Sequence, residues 1–466
     1  MGLHRRVIVR VAALRPVVAV AGLTAVVLLV GCSETGTVGG PGQQAGSTTS
    51  TPSAMTAGGY EPMSDDGPVI ERFPDATWFD GDLPATAERA DPDAAPVKVG
   101  FIGISDGPIA ALPELLEATE TAVEFINTEL GGVDGHPIEL FACSVSLSPE
   151  SSQRCARQVL NDDVVAVLGG INVMSGPGIA LLEEAGVPYV GGIPVSYDEM
   201  RSPISFQFSG GTAGAFAAFG ADAAKRVKAK KVAMVYADYG AIADGAHTYG
   251  AELMQRLGVE QVVEVTFPLT STDLVAPIQK ALDAEPDALI LGAADTSCAP
   301  ALDAVADLEV DVPVYLVGAC ADQKWLDQVG VDRALGTIFN IEGRLNQRVV
   351  DSADTEIYHA VVEEYGPDDL NSAGAATVSF RSAMNLWAAL EQVGADATPD
   401  AVVEWFRATD GQENFDGHPY TCDGEQMPGL PALCSPQQVL VELIGPKEFA
   451  EVSDGWIDVA ELLSER

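Results

Sequence analysis

From residue 97 onward, short apolar runs alternate with longer segments whose apolar residues recur at helical spacing. Each run has the length of a buried strand, and each longer segment has the length of a crossover helix. Strands separated by helices form a parallel sheet with right-handed crossovers. The rhythm stops at Gly210-Gly211 and then starts again. It therefore predicts an α/β protein with two doubly wound parallel-sheet lobes and a cleft between them.

The first lobe is predicted from four strands and three helices. The strands are at 96–103, 138–142, 164–170 and 187–192, and the helices at 113–130, 149–162 and 178–186. The second lobe has strands at 232–237, 261–267, 287–293 and 312–318, and helices at 214–228, 241–257, 273–284 and 299–308. We interpret 340–348 as a crossover, 372–394 as a long amphipathic helix and 437–445 as a last strand.

The charge of the chain limits the classes of molecule that it can bind. A formal net charge of -43 repels nucleic acid and anionic membrane surfaces, so neither is expected to bind. An anionic small molecule is still possible, because backbone amides at a helix start bind anions locally. The cysteines form no CxxC pair, the histidines are scattered and no phosphate-binding loop occurs, so we predict neither a metal nor another cofactor.

The N-terminus has the pattern of an export signal. Residues 1–16 contain four arginines and no acid, and residues 17–30 are apolar but too few to span a membrane easily. The following Leu29-Val30-Gly31-Cys32 resembles the lipobox of bacterial lipoproteins. This resemblance implies that 1–31 is a cleaved signal peptide and that lipidated Cys32 holds the protein on the outer face of the cytoplasmic membrane. An uncleaved membrane anchor is the alternative.

Residues 32–95 are predicted to be a tether. The part 33–67 is rich in Gly, Ser, Thr and Pro and has too few apolar residues to fold, which is typical of a flexible linker. The part 68–95 contains Val69, Ile70 and Trp78. These side chains could dock on the body, and the sequence leaves this question open.

Six cysteines remain after Cys32, and an exported protein with six cysteines is expected to contain three disulfides. Two cysteines lie on a strand end and the next helix, two follow successive strands of the second lobe, and two bracket a Gly/Pro-rich loop. If those successive strands are neighbours, their spacing lies within disulfide reach. The predicted pairs are Cys143–Cys155, Cys298–Cys320 and Cys422–Cys434.

Several segments together resemble the leucine/isoleucine/valine-binding family, which has the type I periplasmic binding protein fold. They are VKVGFIGISDGPIA, FINTELGGVDGHPIEL, the VLGG and VPYVGG strands, VYADYG, DALILGA and VPVYLVG. The resemblance spans about 97–445. It implies lobe one at 97–211 plus 340–412, lobe two at 212–339 plus 413–466, and a multi-crossing hinge between them.

The same resemblance implies a function. It implies a substrate-binding protein that is not an enzyme and that delivers a small solute to the permease subunits of an ABC importer, and we expect this protein to be a monomer. The expected solute is a branched-chain amino acid, another amino acid or an amide-like compound. A ligand-sensing receptor that is not coupled to transport is the closest alternative.

A hydrolase is the alternative from another functional class. Residues 103–107 match the G-x-S-x-G nucleophile elbow and follow a strand. The serine of such an elbow should lead directly into a helix, but Pro108 follows and the helix is predicted from residue 113. No histidine follows a core strand as a catalytic base would require. We therefore interpret Ser105 as a residue at the cleft edge, close to the ligand.

Ligand contacts in the first lobe are expected where its strands end. Ligands of such sheets bind at the carboxyl ends of the strands, and free N–H groups at a helix start favour a carboxylate. The loop 169–176 links the third strand to the third helix and carries hydrogen-bonding side chains. An ordinary helix cap is the alternative for this loop. The expected contacts are Asn172, Ser175, Gly191, Gly192 and Ile193.

The sequence departs from the family pattern at the ligand groups. The family's carboxylate-binding serine falls at Val173, and its acidic residue for the ligand amine falls at Ala319-Cys320. An α-amino acid ligand is therefore not implied by these positions. In the second lobe, Tyr239 matches the aromatic residue that closes over the ligand. Asp295 is the best nearby acid for an amine or hydroxyl, with a helix N-cap as its alternative role.

Overall fold

The computed structural model describes residues 67–73, 84, 86–107, 111–269, 271–293, 295–343 and 353–464. The predicted signal peptide at 1–31 and the predicted lipidation site Cys32 lie outside the described residues.

The first sheet has five parallel strands in the order β2-β1-β3-β4-β5. The order reverses between β1 and β3, and this switch point is where open α/β sheets bind ligands. The strands are β1 (Val97–Gly103), β2 (Ile138–Ser144), β3 (Ala166–Gly169), β4 (Tyr189–Val190) and β5 (Ser205–Phe206).

The second sheet has seven strands in the order β12-β11-β10-β9-β8-β6-β7. Strands β6 to β10 are parallel, with the same kind of switch point between β6 and β8, whereas β11 and β12 run antiparallel. The strands are β6 (Lys231–Ala237), β7 (Gln261–Phe267), β8 (Ala288–Gly292), β9 (Val314–Leu316), β10 (Thr337–Ile341), β11 (Val439–Gly445) and β12 (Glu448–Glu451).

The helices around the first sheet begin at residues that suit a helix start. Proline occupies the first turn of several of them, and Ser148 accepts a hydrogen bond from the amide of Ser151 at 3.1 Å. The helices are α1 (Val69–Arg72), α2 (Pro113–Glu129), α3 (Pro149–Asn161), α4 (Gly176–Ala185), α5 (Tyr197–Arg201), α13 (Ala353–Tyr365), α14 (Ala375–Val393) and α15 (Pro399–Arg407).

Two π-helical turns interrupt the helices of the second lobe, at Ala223–Val227 and Ala246–Ala251. Both lie within segments that the sequence predicts as single helices. The α-helices are α6 (Gly211–Asp222), α7 (Gly240–Gly245), α8 (Glu252–Arg256), α9 (Val275–Leu282), α10 (Cys298–Asp307), α11 (Gln323–Val329), α12 (Val331–Ala334) and α16 (Val459–Ser464).

The α/β architecture with two lobes is as predicted, but the second sheet is not purely parallel. The residues assigned to a crossover near 340 begin inside strand β10, and the C-terminal strand β11 pairs antiparallel with it. A further edge strand, β12, follows β11 through a tight turn. Antiparallel neighbours need only a short connection, whereas parallel ones need a crossover, so a short C-terminal hairpin can complete the sheet.

The chain crosses between the lobes at three places. These crossings are 207–210 after β5, the segment that begins at Glu342 after β10, and 435–438 before β11. The segment 413–434, which the resemblance placed in the second lobe, contacts both lobes. Phe415, Tyr420, Cys422 and Cys434 lie in the core of the first lobe, whereas Met427, Leu430 and Leu433 pack against α6. This part of the boundary is corrected, and the remaining lobe limits stay a proposal.

The end of the predicted tether docks on the first lobe. Val69 and Ile70 are buried in its core, and their backbone amides each donate a 2.8 Å hydrogen bond to the carboxylate of Glu129. Tyr365 on α13 also donates to this carboxylate, at 2.5 Å. Further along, the amide of Glu88 donates to the carbonyl of Glu129 at 2.9 Å. Helix α1 is therefore part of the folded body.

All three predicted disulfides are confirmed. Their Cα–Cα distances are 5.4 Å for Cys143–Cys155, 5.1 Å for Cys298–Cys320 and 4.6 Å for Cys422–Cys434. The first joins β2 to α3, and the second joins the start of α10 to the turn after β9. Among the described helices, none is long and apolar enough to cross a membrane.

Candidate ligand-binding site

A cavity of about 140 Å³ lies between the two lobes. Its walls come from loops at the carboxyl ends of both sheets, from the starts of α6 and α14, and from two of the crossings. Eleven of the lining residues are apolar: Ile171, Ile193, Val195, Ala215, Phe216, Ile242, Val317, Ala319, Ile341, Ala375 and Val378. The polar lining side chains are Ser209, Thr212, Asn340, Glu342, Thr377 and Arg381. An apolar cavity of about 150 Å³ accommodates benzene, so this one fits a single ring or a branched alkyl group.

Several polar groups meet at the hinge, and we call them the cleft floor: the side chains of Ser209, Asn340, Glu342, Arg381 and Gln438 and the backbone amide of Gly210. Oε1 of Glu342 accepts hydrogen bonds from Ser209 Oγ at 2.8 Å and from the amide of Gly210 at 2.9 Å. It also accepts one from Gln438 Nε2 at 2.9 Å. One carboxylate oxygen on the second crossing thus joins the first and the third.

Asn340 extends this network into the second lobe. Its Nδ2 donates to Gln438 Oε1 at 2.8 Å, and its Oδ1 accepts from the amide of Gly318 at 2.9 Å. Space is tight here, since a Cβ on Gly210 would lie 2.8 Å from both Gln438 Nε2 and the carbonyl oxygen of Pro436. The network fixes the spacing of the crossings beneath the cavity.

Arg381 is the cation of the cleft floor. It lies on α14, its side chain is 2% exposed, and Nη1 donates to the backbone carbonyl of Glu342. Nη2 lies 3.6 Å from Oε2 of the same residue, an ion-pair distance that is too long for a hydrogen bond. Burial lowers the pKa of Arg381, while the carboxylates of Glu342 and Asp416 oppose this shift.

The lobes also touch across the cleft away from the hinge. Lys324 on α11 forms a 3.2 Å ion pair with the buried carboxylate of Glu114 on α2. Asn371 in the first lobe donates a hydrogen bond to Asp322 at the start of α11. Burial raises the pKa of Asp322. These contacts hold the cleft closed over the cavity.

A second opening of about 270 Å³ lies between the loop before α4 and the start of α7. We call the facing side chains Val173, Met174, Tyr197 and Tyr239 the cleft rim. Tyr239, from the second lobe, donates its hydroxyl to Met174 Sδ in the first lobe at 2.7 Å. Burial raises the pKa of Tyr239. Tyr239 thus spans the cleft, and its role in closure over a ligand stays a prediction.

Of the predicted ligand contacts, Ile193 lines the cavity. Gly191 and Gly192 lie behind it, where β4 packs against α14. Gly191 has φ +67°, and a Cβ there would lie 2.1 Å from Ser382 Oγ. The amide of Gly192 donates to the same Oγ at 3.1 Å. The two glycines therefore allow a close approach of the strand to the helix.

Asn172 and Ser175 are buried inside the first lobe, at 2% and 1% exposure. Asn172 Nδ2 donates to Ser152 Oγ at 3.1 Å, and Ser175 Oγ is hydrogen-bonded to Ser196 Oγ. These side chains join neighbouring loops of one lobe, and neither lines the cavity. Ligand contact by either residue stays a prediction.

Ser105 follows β1 and is 8% exposed. Its amide and that of Asp106 donate to Ser144 Oγ, at 3.1 and 2.9 Å. Helix α2 begins at Pro113, as expected, so Ser105 does not lead directly into a helix. Asp295 begins a short 3-10 helix after β8, and its side chain lies outside the described part of the structure. The roles proposed for Ser105 and Asp295 stay predictions.

The wall loop that carries Ile193 and Val195 is supported by a buried acid. Glu199 accepts hydrogen bonds from the amides of Val195 and Ser196, at 3.0 and 3.1 Å. Burial raises the pKa of Glu199 to about 8, and the hydrogen bonds from the two amides oppose this shift only in part. The wall of the cavity therefore rests on a carboxyl group that is protonated at neutral pH.

Sequence reasoning missed the cleft floor. The one available signal is the composition of α14, in which Arg381 is the only charged residue before Glu391. A lone cation in a buried helix needs an acidic partner, but the sequence does not show that Glu342 is that partner. Within the described residues, no group of acidic, histidine or cysteine side chains is arranged to hold a metal ion.

Three solved structures share the fold of this chain. A leucine-binding protein from Thermotoga maritima is 17% identical, with TM-score 0.64 over 78% of this chain and 99% of its own. An ABC-transporter solute-binding protein from R. palustris, solved with 4-hydroxybenzoate, is 20% identical, with TM-score 0.66 over 78% and 97%. A branched-chain amino acid binding protein from Streptococcus pneumoniae, solved with isoleucine, is 15% identical, with TM-score 0.62 over 77% and 99%.

No curated protein matches the chain by sequence. A family model described as "Periplasmic binding protein" matches residues 96–428, which is more than half of the chain. The chain therefore belongs to the periplasmic binding protein family.

Proposed function

We propose that this protein is a lipid-anchored extracytoplasmic receptor that traps a small solute between its lobes and delivers it to an ABC importer. The observation that carries the proposal is the position of the cavity. It lies on the carboxyl ends of both sheets, above three crossings, so opening the hinge would expose it and closing the hinge would bury its contents.

The lining favours a solute with an apolar body. Most of the walls are aliphatic or aromatic side chains, and the polar groups are confined to the cleft floor and the starts of α6 and α14. Pockets of this kind bind the body of a ligand by apolar contact and orient it with a few polar groups. Isoleucine and 4-hydroxybenzoate, the ligands of two solved relatives, both have this character and are suitable first compounds.

A thermal-shift screen of the mature protein tests solute binding. The panel comprises amino acids, their amides, small aliphatic and aromatic carboxylates and polyamines. A ligand present at 100 times its dissociation constant should stabilise the protein by about 2.7 kcal/mol. Small-angle scattering with a hit compound should show a smaller radius than without it, and an unchanged radius would contradict closure of the lobes.

Two further measurements test the anchor and the importer. Mass spectrometry of the protein from membranes should find an N-terminus at a lipidated Cys32, and an intact Met1 would contradict the anchor. Deletion of the gene should abolish uptake of the labelled solute into cells. Normal uptake together with a lost transcriptional response would instead favour a sensing receptor. Turnover of the bound compound would favour the hydrolase alternative at Ser105.

A further inference from the structure

The guanidinium of Arg381 has one edge that makes no hydrogen bond to the described residues. Nη1 donates to the carbonyl of Glu342, but within the described residues neither Nε nor Nη2 has a hydrogen-bond partner. The side chain lines the cavity and is 2% exposed, so bulk water does not supply the missing acceptors. A buried charged donor without an acceptor is costly, and such a site favours a ligand that supplies one.

The two nitrogens without a hydrogen bond determine which chemical group of a ligand fits. The N–H groups of Nε and Nη2 leave the same edge of a planar guanidinium in parallel, and this edge matches the two oxygens of a carboxylate. Building on the receptor function proposed above, we propose that this edge of Arg381 binds the carboxylate of the solute. The solute is then a small carboxylic acid with an apolar body.

The neighbours of Arg381 place that apolar body. Val378 is one helical turn earlier on α14 and lines the same cavity, as do Ile171 and Phe216. Thr212 Oγ1 also lines the cavity and has no hydrogen-bond partner among the described residues. It offers a second polar contact to an otherwise apolar solute.

Because acidic side chains lie near Arg381, binding of a carboxylate should depend on the geometry of the guanidinium more than on its charge. Glu342 and Asp416 both face it, so a third carboxylate gains little from net charge alone. Oε1 of Glu342 is already occupied by three donors from the crossings. We therefore expect affinity to depend on two parallel hydrogen bonds from one guanidinium edge, which lysine cannot supply although it carries the same charge.

Matched acids and amides test this proposal by calorimetry on the mature wild-type protein. The pairs are isocaproate with isocaproamide and benzoate with benzamide, which keep the apolar body and remove the anionic oxygen. At least one acid should bind, and its amide should bind at least tenfold more weakly, since hydrogen bonds to charged groups are among the stronger ones. This comparison needs no variant, so it does not depend on how substitutions affect folding.

Arg381→Lys should weaken binding of the acid by at least tenfold and remove its preference over the amide. Arg407→Lys is the control, because Arg407 donates to the carbonyl of Pro203 on the surface of the same lobe. It should bind like wild type. Thermal unfolding followed by circular dichroism checks that both variants are folded.

Equal binding of acid and amide, or unchanged discrimination in Arg381→Lys, would overturn the role of Arg381 and leave the receptor function in place. The proposal also falls if no acid binds while the broader screen finds a solute without a carboxylate. If that screen finds no solute of any class, the receptor function fails with it.

Discussion

The cleft floor and the cleft rim lie on two sides of the space between the lobes and differ in how strongly they hold the lobes together. At the floor, a buried ion pair with Arg381 and hydrogen bonds from the first and third crossings converge on Glu342, which lies on the second crossing. At the rim, the described contacts between the lobes are made by two tyrosines: the Tyr239 hydroxyl donates to Met174 Sδ, and Tyr197 is hydrogen-bonded to Asp244 on α7. Breaking the floor would leave buried charges without partners, whereas breaking the rim exposes groups that water can satisfy. The floor should therefore stay intact while the rim opens and closes.

The largest effect is expected at the floor. Glu342→Gln removes the carboxylate that faces the buried Arg381, and breaking a buried ion pair costs about 3–5 kcal/mol. The free energy of unfolding from urea titration should fall by this amount. Glu260→Gln is the matched control, since its 3.3 Å ion pair with Lys230 is exposed at the surface and such pairs contribute about 0–1 kcal/mol. Equal losses in the two variants would show that floor and surface pairs do not differ.

The next prediction compares two disulfides, of which only one should affect ligand binding as well as stability. The Cys298–Cys320 disulfide adjoins Ala319 in the cavity wall, whereas Cys143–Cys155 joins elements that do not line the cavity. Replacing either pair with serine should cost about 2–4 kcal/mol of unfolding free energy. Only loss of Cys298–Cys320 should also weaken ligand binding measured by calorimetry. Equal binding losses would mean that the wall near Ala319 needs no local crosslink.

A pH titration probes the wall between floor and rim. The pKa of Glu199 is raised to about 8, above its ordinary value of 4.5, so the folded protein binds this proton more tightly than the unfolded chain does. The contribution of this proton to the free energy of unfolding is fully present below the pKa of Glu199 in the unfolded chain. It is lost as pH rises through the pKa of Glu199 in the folded protein. Between these values it falls by about 1.4 kcal/mol per pH unit.

Glu199→Gln keeps the acceptor oxygen and removes the titration. Urea unfolding at several pH values from 5 to 8 should show a stability that decreases with pH less steeply in Glu199→Gln than in wild type. Parallel pH profiles for the two proteins would contradict the protonated state of Glu199.

The smallest effect is expected at the rim. Tyr239→Phe removes the hydroxyl that reaches Met174, and a neutral hydrogen bond contributes about 0.5–1.5 kcal/mol. We expect an unchanged unfolding midpoint, a modest loss of affinity and a smaller ligand-induced compaction in small-angle scattering. Ser175→Ala is the control, because its hydrogen bond to Ser196 lies within one lobe. It should lower stability slightly and leave compaction unchanged, and a loss of compaction in this variant would count against the distinction.

The same contrast explains what could be predicted from the sequence. The β-α rhythm is local, so most strands and helices and the three disulfides follow from short stretches of chain. Strand β10 was missed because it is short and contains Asn340, whose side chain is buried through its bond to Gln438. Edge strand β12 has an exposed, charged sequence without the alternation of a half-buried strand.

The site was predictable only in position. The loops after the strands do surround the cavity, since parallel sheets direct all these ends to one edge. Which side chains face the cavity depends on contacts over long sequence distances. Asn172 and Ser175 are hydrogen-bonded to Ser152 and Ser196 within the first lobe. Arg381 belongs to the site because the fold brings it against Glu342, 39 residues earlier in the chain. No local pattern records such pairings.

The docking of Val69 and Ile70 sets a limit on how far the body can lie from its proposed anchor. On the proposed anchor at Cys32, residues 33–68 connect the lipid to the docked segment. At about 3.3–3.6 Å per residue, this stretch spans at most roughly 120–130 Å even if fully extended. A chain free up to strand β1 would reach nearly twice as far. The carboxylate of Glu129, which holds the two amides, thereby keeps the body in a thinner layer above the membrane and raises its effective concentration at a permease beside the anchor.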